Sequence, residues 1–397
     1  MAQPANAPPL AGVRVVDFSR VLAGPYATMT LADLGADVVK VEHPVGGDET
    51  RSWGPPFAGG ESAYYLSVNR GKRSVALDLK DPDGLELALE LCARADVVVE
   101  NFRPGGAERL GVGYDAVRAR RGDTVYCSIN GFGRRSPRDR PAYDVVVQAE
   151  SGLMSITGEP DGEPTKVGVG LVDVLAGLNA ATAILAALHR RDRTGEGELI
   201  EISLLDSAFA GLVNVAENAL VTGEEPQRYG NAHPSIVPYQ PFRATDGWIA
   251  VAAANDGLFR RLCAAIDRPE LAADERYATN DARVRNRGPL VTELAAVFAE
   301  RPSEEWVSVL LAAGVPAGKI RGVGEALRSA GATTAVPHPT AGTVELVRSP
   351  FWLVHASLRP AAAPPLLGEH TDEALAELGV GEDRLRELER RGVIVRP

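Results

Sequence analysis

Short runs of β-branched residues alternate with longer stretches of helical periodicity over the first 130 positions. VRVVDF (13–18) and DVVKVE (37–42) flank a segment that Pro25 can open and Gly35 can close, which predicts a strand, a helix and a second strand. SVALDL (74–79), a helix opened by Asp81 and Pro82, and DVVVENF (96–102) repeat the cycle, and TVYCSI (124–129) adds another strand. Strands alternating with helices predict an α/β protein with a parallel sheet covered on both faces, whose ligands sit at the carboxyl ends of the strands. Further on, GVGLVDVLAGLNAATAILAAL (168–188) reads as a long, small-residue, buried helix carrying one acid, Asp173, near its start. ELIEISLL (198–205) is a strand, followed by an apolar helix from Asp206. The segment 220–240 turns polar and rich in Gly and Pro, as a linker does. A WIAVAAA strand (248–254) and helices at 256–266, 289–300 and 303–313 make a second unit, 332–365 is again Pro-rich and irregular, and an amphipathic helix lies around 371–391.

Composition narrows the classes. The chain has 397 residues, 45% hydrophobic and 24% charged, with a formal net charge of -11. That is globular composition, and the acidic surplus argues against nucleic acid as the main partner. Cys92, Cys127 and Cys263 are scattered without CxxC spacing, so neither a disulfide framework nor a zinc cage is expected. The opening MAQPANAPPL lacks the pattern of a secretory signal, and 168–188 contains Asp173 and Asn179 and is barely long enough to span a bilayer. A cytoplasmic protein off the membrane is the expectation.

The candidate chemistry is sparse. The turn FSRVLAGPYA, with Glu42 some 20 residues on, lacks the glycine fingerprint of a dinucleotide site, so Glu42 reads as an exposed strand-end residue and NAD or FAD is not expected. NRGKRS (69–74) and NFRPGG (101–106) put Arg70, Lys72, Arg73 and Arg103, with Arg109 nearby, beside strands of one sheet, where a phosphorylated ligand could be gripped. The six histidines fall in no metal-ligand spacing, and neither a GxSxG elbow nor a P-loop is present. Carboxylates remain. Asp173 reads as a helix N-cap and also as an acid that the helix dipole keeps ionised and ready to attack an acyl group.

Taken together, PLAGVRVVDFSRVLAGPYATMTLADLGADVVKVE, LSVNRGKRSVALDLK, VVVENFRPG, AYDVVVQAESGLMSITG, GVGLVDVLAGLNAATAILAALHRRDRTGEGELIEISLLDSA and PLLGEHTDEAL resemble the family III CoA-transferases, the group that also contains α-methylacyl-CoA racemase. The resemblance implies a Rossmann-like large domain built from both chain ends, a smaller α+β domain, and an interlocked homodimer. The boundaries expected are 1–219 for the first part of the large domain, 220–240 for a linker, 241–330 for the small domain, 331–365 for a return linker and 366–397 for the completing part.

It also implies that Asp173 attacks the donor thioester, then carries CoA as an aspartyl thioester to a free carboxylic acid, without a metal or a redox cofactor. Val21, Leu77, Lys80, Asn101, Phe102 and Arg109 match family positions that hold coenzyme A, and His43 stands where formyl-CoA transferase has an arginine beside the adenine. Arg103 belongs to the same anion-binding group. Tyr143 and Asp144 occupy the block where racemases carry a histidine and an aspartate; a tyrosine is a poor base at neutral pH, which leaves racemase as the alternative. A CoA-binding protein without chemistry is the second alternative. The acceptor is expected to be a dicarboxylate, with Arg134, Arg135, Arg138 and Arg140 as candidates for its second carboxylate.

Overall fold

The computed structural model describes residues 6–133 and 140–396, and the chain divides into two compact units. The first comprises residues up to 153, 167–221 and 331 onward; the second comprises 154–166 and 222–330.

The first unit is built on β1 (Arg14–Asp17), α1 (Ala23–Asp33), β2 (Asp37–Glu42), β3 (Lys72–Leu77), α2 (Pro82–Ala93), β4 (Val97–Glu100), β5 (Val125–Asn130), α3 (Asp144–Glu150), α4 (Leu171–Thr194), β6 (Glu198–Ser203) and β7 (Ile394–Val395). Its seven-stranded sheet runs β7-β3-β2-β1-β4-β5-β6, all parallel except β7. This is a mixed α/β unit with a parallel-dominated sheet, and its 3-2-1-4-5-6 core reverses direction between β1 and β4, where such sheets open a crevice. The strand pattern explains why both faces are covered. Val38, Val15, Val97 and Val125 lie side by side in register on one face, against α1 and α4. Val39, Val16, Val98 and Tyr126 form the row on the other, against α2 and the helices Thr371–Glu377 and Glu382–Arg390.

Several local readings need correction. Asp81 caps α2 through the Asp83 N–H, with Pro82 in the first turn, as the sequence indicates. Helix Leu204–Gly211 is instead capped by Ser203, which accepts from the Asp206 N–H. The stretch read as irregular contains a hairpin, Thr333–His338 with Gly342–Val347, and the terminal helix is two helices followed by β7. Helix α4 is not buried all round. Val172, Ala176, Ala180, Ile184 and Leu188 pack inward, whereas Leu178, Leu185 and, on the following helices, Phe209 and Val213 are exposed. By length and composition α4 would cross a bilayer; the small residues that let it press against α1 make it a core helix on that side.

The second unit has its own core around Phe242, Phe259, Phe298 and Trp306, with a three-stranded antiparallel sheet from Tyr239–Ala244, Gly247–Ala252 and Ala317–Lys319. Arg228 donates to the carbonyls of Glu159, Pro160 and Gly162, tying the 154–166 excursion into this unit.

Candidate active site

At the carboxyl ends of β1 and β4 lies a cleft of about 680 Å³ in the first unit. Its walls include Val21, Lys80, Asn101, Phe102, Arg103, Arg109, Tyr143 and Asp173. His43 and Leu77 line a smaller adjoining pocket of about 100 Å³, which shares Lys80 and Phe102 with the cleft edge. Asp144 does not line the cleft; its role is described below.

The turn after β1 is held by a buried ionic cluster. Asp17 accepts from Ser19, Thr28 and, at 3.1 Å, from Lys72 Nζ. Lys40 Nζ donates to the Ser19 carbonyl at 2.6 Å and pairs with Asp48 at 3.0 Å. Asp48 in turn accepts the Val21 N–H. Val21 sits at φ 68°, a costly conformation for a β-branched residue, so these partners must hold it there. The Asn101 side chain clips the same turn, accepting the Arg20 N–H at 2.8 Å and donating to the Arg20 carbonyl at 2.7 Å. Asn101 therefore shapes the wall with its amide already engaged.

Two sequence expectations fail here. Arg70 pairs with Asp33, Lys72 with Asp17, and Arg73 with Asp37 and Glu377, so NRGKRS serves the scaffold and does not reach the cleft. Glu42 is buried and pairs with Arg51 at 2.8 Å. The positive charge of the cleft comes from Arg20, Lys80, Arg103 and Arg109, none of which makes an ion pair with a described carboxylate, and from Arg140. Arg140 lies over the Phe132 ring, 3.9 Å from its centroid, and pairs with Glu150. Arg134, Arg135 and Arg138 lie outside the described residues.

Asp173 stands in the first turn of α4, but it is not the cap. Gly170 occupies the N-cap position without a side chain, and the Asp144 carboxylate from α3 accepts the Val172 N–H at 2.8 Å and the Asp173 N–H at 3.3 Å. Nor is Asp173 kept readily ionised by the helix. Burial, then the neighbouring Asp144 charge, lifts its carboxyl from 3.8 to about 7. Tyr64, which the sequence did not single out, feels the same field: burial and then the Asp173 and Asp144 charges push its phenol up to about 12. Gly170 brings the backbone close to Asp173. A Cβ on Gly170 would lie 2.9 Å from Leu22 Cδ2 and 3.5 Å from Asp173 Oδ2. A half-buried carboxyl poised near neutrality beside a cationic cleft is the arrangement expected of a group that reacts.

The family model for CoA-transferase family III matches residues 10–371, and the chain belongs to that family. It is 44% identical to the succinyl-CoA:glutarate CoA-transferase of Mus musculus, with 97% of this chain and 90% of the relative aligned. It is 43% identical to the succinate–glutarate CoA-transferase of Agrobacterium fabrum, over 94% of this chain and 97% of the relative. The crystal structure of a CAIB/BAIF family protein from Brucella suis superposes with a TM-score of 0.85 at 42% identity, covering 94% of this chain and all of the other. The protein is thus a CoA-transferase, acting on acyl-CoA thioesters and carboxylic acids.

Proposed function

We propose that the chain moves CoA from a dicarboxylic acyl-CoA such as succinyl-CoA to a free dicarboxylic acid of similar length, through covalent intermediates on Asp173. The observation that carries this reading is the position of Asp173: a half-buried carboxyl lifted to about 7, opening onto a cleft whose Arg20, Lys80, Arg103 and Arg109 make no ion pair with a described carboxylate. The names of the 43–44% identical relatives supply the substrate class.

The chemistry balances without an outside reactant. The Asp173 carboxylate attacks the thioester carbon and the C–S bond breaks, giving a mixed anhydride and CoA thiolate. The thiolate attacks the aspartyl carbon and releases the donor acid, leaving an aspartyl thioester. The acceptor carboxylate then repeats both steps in reverse, and Asp173 is regenerated. Each intermediate keeps the acyl energy as long as water is excluded, which suits a nucleophile set back in a cleft that the substrate fills. No step requires a metal, NAD or FAD.

Lys80, Arg103 and Arg109 are read as the residues that face the CoA phosphates, with Val21, Phe102, His43 and Leu77 along the rest of the molecule. An Arg109→Ala change is expected to raise KM for acyl-CoA about tenfold at near-constant kcat, the scale of one charge-assisted hydrogen bond, and the defect should deepen at higher salt. An unchanged KM would remove Arg109 from the phosphate site. A Rossmann-like description of the large domain, the interlocked homodimer and a cytoplasmic location belong to the same reading. The exposed Leu178, Leu185, Phe209 and Val213 give the dimer an apolar surface to cover.

The decisive experiment incubates the protein with succinyl-CoA, traps with hydroxylamine or borohydride, and maps the modified peptide. A derivative on Asp173 is expected. Hydrogen exchange at the α carbon of a 2-methylacyl-CoA without any adduct would support the racemase alternative instead. Because the attacking group must be ionised, kcat/KM for the donor should climb about tenfold per pH unit below pH 7 and level off above it.

A further inference from the structure

Gln148 is fully buried in α3 and does not line the cleft, yet every polar atom of its amide is committed. Its Nε2 donates to Asp144 Oδ2 at 2.5 Å and to the Val169 carbonyl at 3.4 Å, and its Oε1 accepts the Val167 N–H at 2.8 Å. The orientation of the amide follows from its partners, since an N–H needs the oxygen and a carboxylate needs the nitrogen.

These contacts converge on one point. Residues 167–170 are the last segment before α4, and Gly168 and Gly170 bring no side chain to it. Asp144, the other partner of Gln148, holds the first N–H groups of α4, including that of Asp173 itself. One amide therefore fixes both the backbone that enters the nucleophile's helix and the carboxylate that caps it.

We propose that Gln148 is a positioning residue for CoA transfer, acting through Asp144 and the 167–169 backbone to aim the Asp173 carboxylate at the thioester. The proposal rests on Asp173 as the nucleophile. It is specific, because a buried Gln that merely filled space would be replaceable by an apolar side chain of the same length. Displacing a reacting group by about 1 Å costs on the order of 10²-fold in rate.

The test uses the full chain with succinyl-CoA as donor, reading the rate of trapped Asp173 adduct together with steady-state kcat and KM. Gln148→Met keeps length and loses all three hydrogen bonds. It should slow adduct formation and kcat by 10- to 100-fold while KM for succinyl-CoA stays within about twofold. Gln148→Glu keeps the acceptor for the Val167 N–H, loses the donor and adds a negative charge beside Asp144. The added buried charge costs stability, so folding of both variants is checked by thermal unfolding, and in the folded protein it should move the acid limb of the pH–kcat profile to higher pH. Adduct formation in Gln148→Met at the wild-type rate, or an unmoved acid limb in Gln148→Glu, overturns the positioning role. Failure of the wild-type protein to form any Asp173 adduct overturns the proposed function itself, so the two failures are distinguishable.

Discussion

Asp173→Asn is expected to abolish CoA transfer and, at the same pH, to make the protein more stable. The two effects share one cause. The Asp173 carboxyl is half-buried beside the Asp144 charge, and that partial burial with the neighbouring charge raises its pKa from 3.8 to about 7. The folded chain therefore holds a proton that the unfolded chain has already released, so stability falls as pH rises from about 4 to about 7 and stays at the lower value above. A rise from 3.8 to about 7, at about 1.4 kcal/mol per pH unit, sets a ceiling of about 4 kcal/mol on that loss. Asparagine has nearly the same shape and no charge to desolvate. Urea unfolding should find the variant equal to wild type near pH 4 and more stable by up to the ceiling at pH 8. Activity should drop by about 10⁴-fold or more, since no neighbouring group can replace a lost nucleophile. A stability difference that does not change with pH would refute the argument from burial. The reactive acid is thus a strained element that the rest of the fold tolerates.

The fold was legible where local signals decide structure. Alternating β-branched runs and helical stretches announced the sheet, and Asp81-Pro82 announced a helix start because cap and first turn are set by adjacent residues. Asp173 itself stood out because it interrupts a run of small apolar residues. What stayed hidden depends on partners distant in sequence. The cap of α4 comes from Asp144, 28 positions before Val172, so nothing near Asp173 reveals it. Lys72 and Glu42 look like surface charges in isolation and are buried only because Asp17 and Arg51 meet them. The two-residue β7 carries no periodicity of its own and exists because β3 offers an open edge. Tyr64 and Gln148 lack any motif; their place beside Asp173 or Asp144 appears only once the sheet has folded.

Asp48→Ala should be the most disruptive single change outside the reacting group, for both stability and acyl-CoA binding. Burial works against the Asp48 charge, but Lys40 and the Thr50 N–H more than offset it, and its pKa is lowered. Lys40 behaves in the complementary way, raised despite burial by Asp48 and Asp17. A lowered acid contributes stability that is present above its unfolded pKa, here 3.8, and is lost as pH falls through its folded value; the raised lysine contributes below about 10.5 and loses it at higher pH. The cluster therefore supports the fold across the whole neutral range. Removing Asp48 leaves the Lys40 ammonium buried with a single close hydrogen bond, to Ser19, which costs about 3–5 kcal/mol. The pairing alone is replaceable: Lys40→Met combined with Asp48→Leu should recover most of that stability, because neither charge then needs a partner. Binding should not recover with it. Val21 holds its positive φ against the Asp48 carboxylate, and without that acceptor the turn relaxes and the cleft wall moves. Thermal unfolding and titration with acyl-CoA on the single and double variants separate the two roles. Recovery of both stability and affinity in the double variant would show that the cluster only balances charge and does not shape the site.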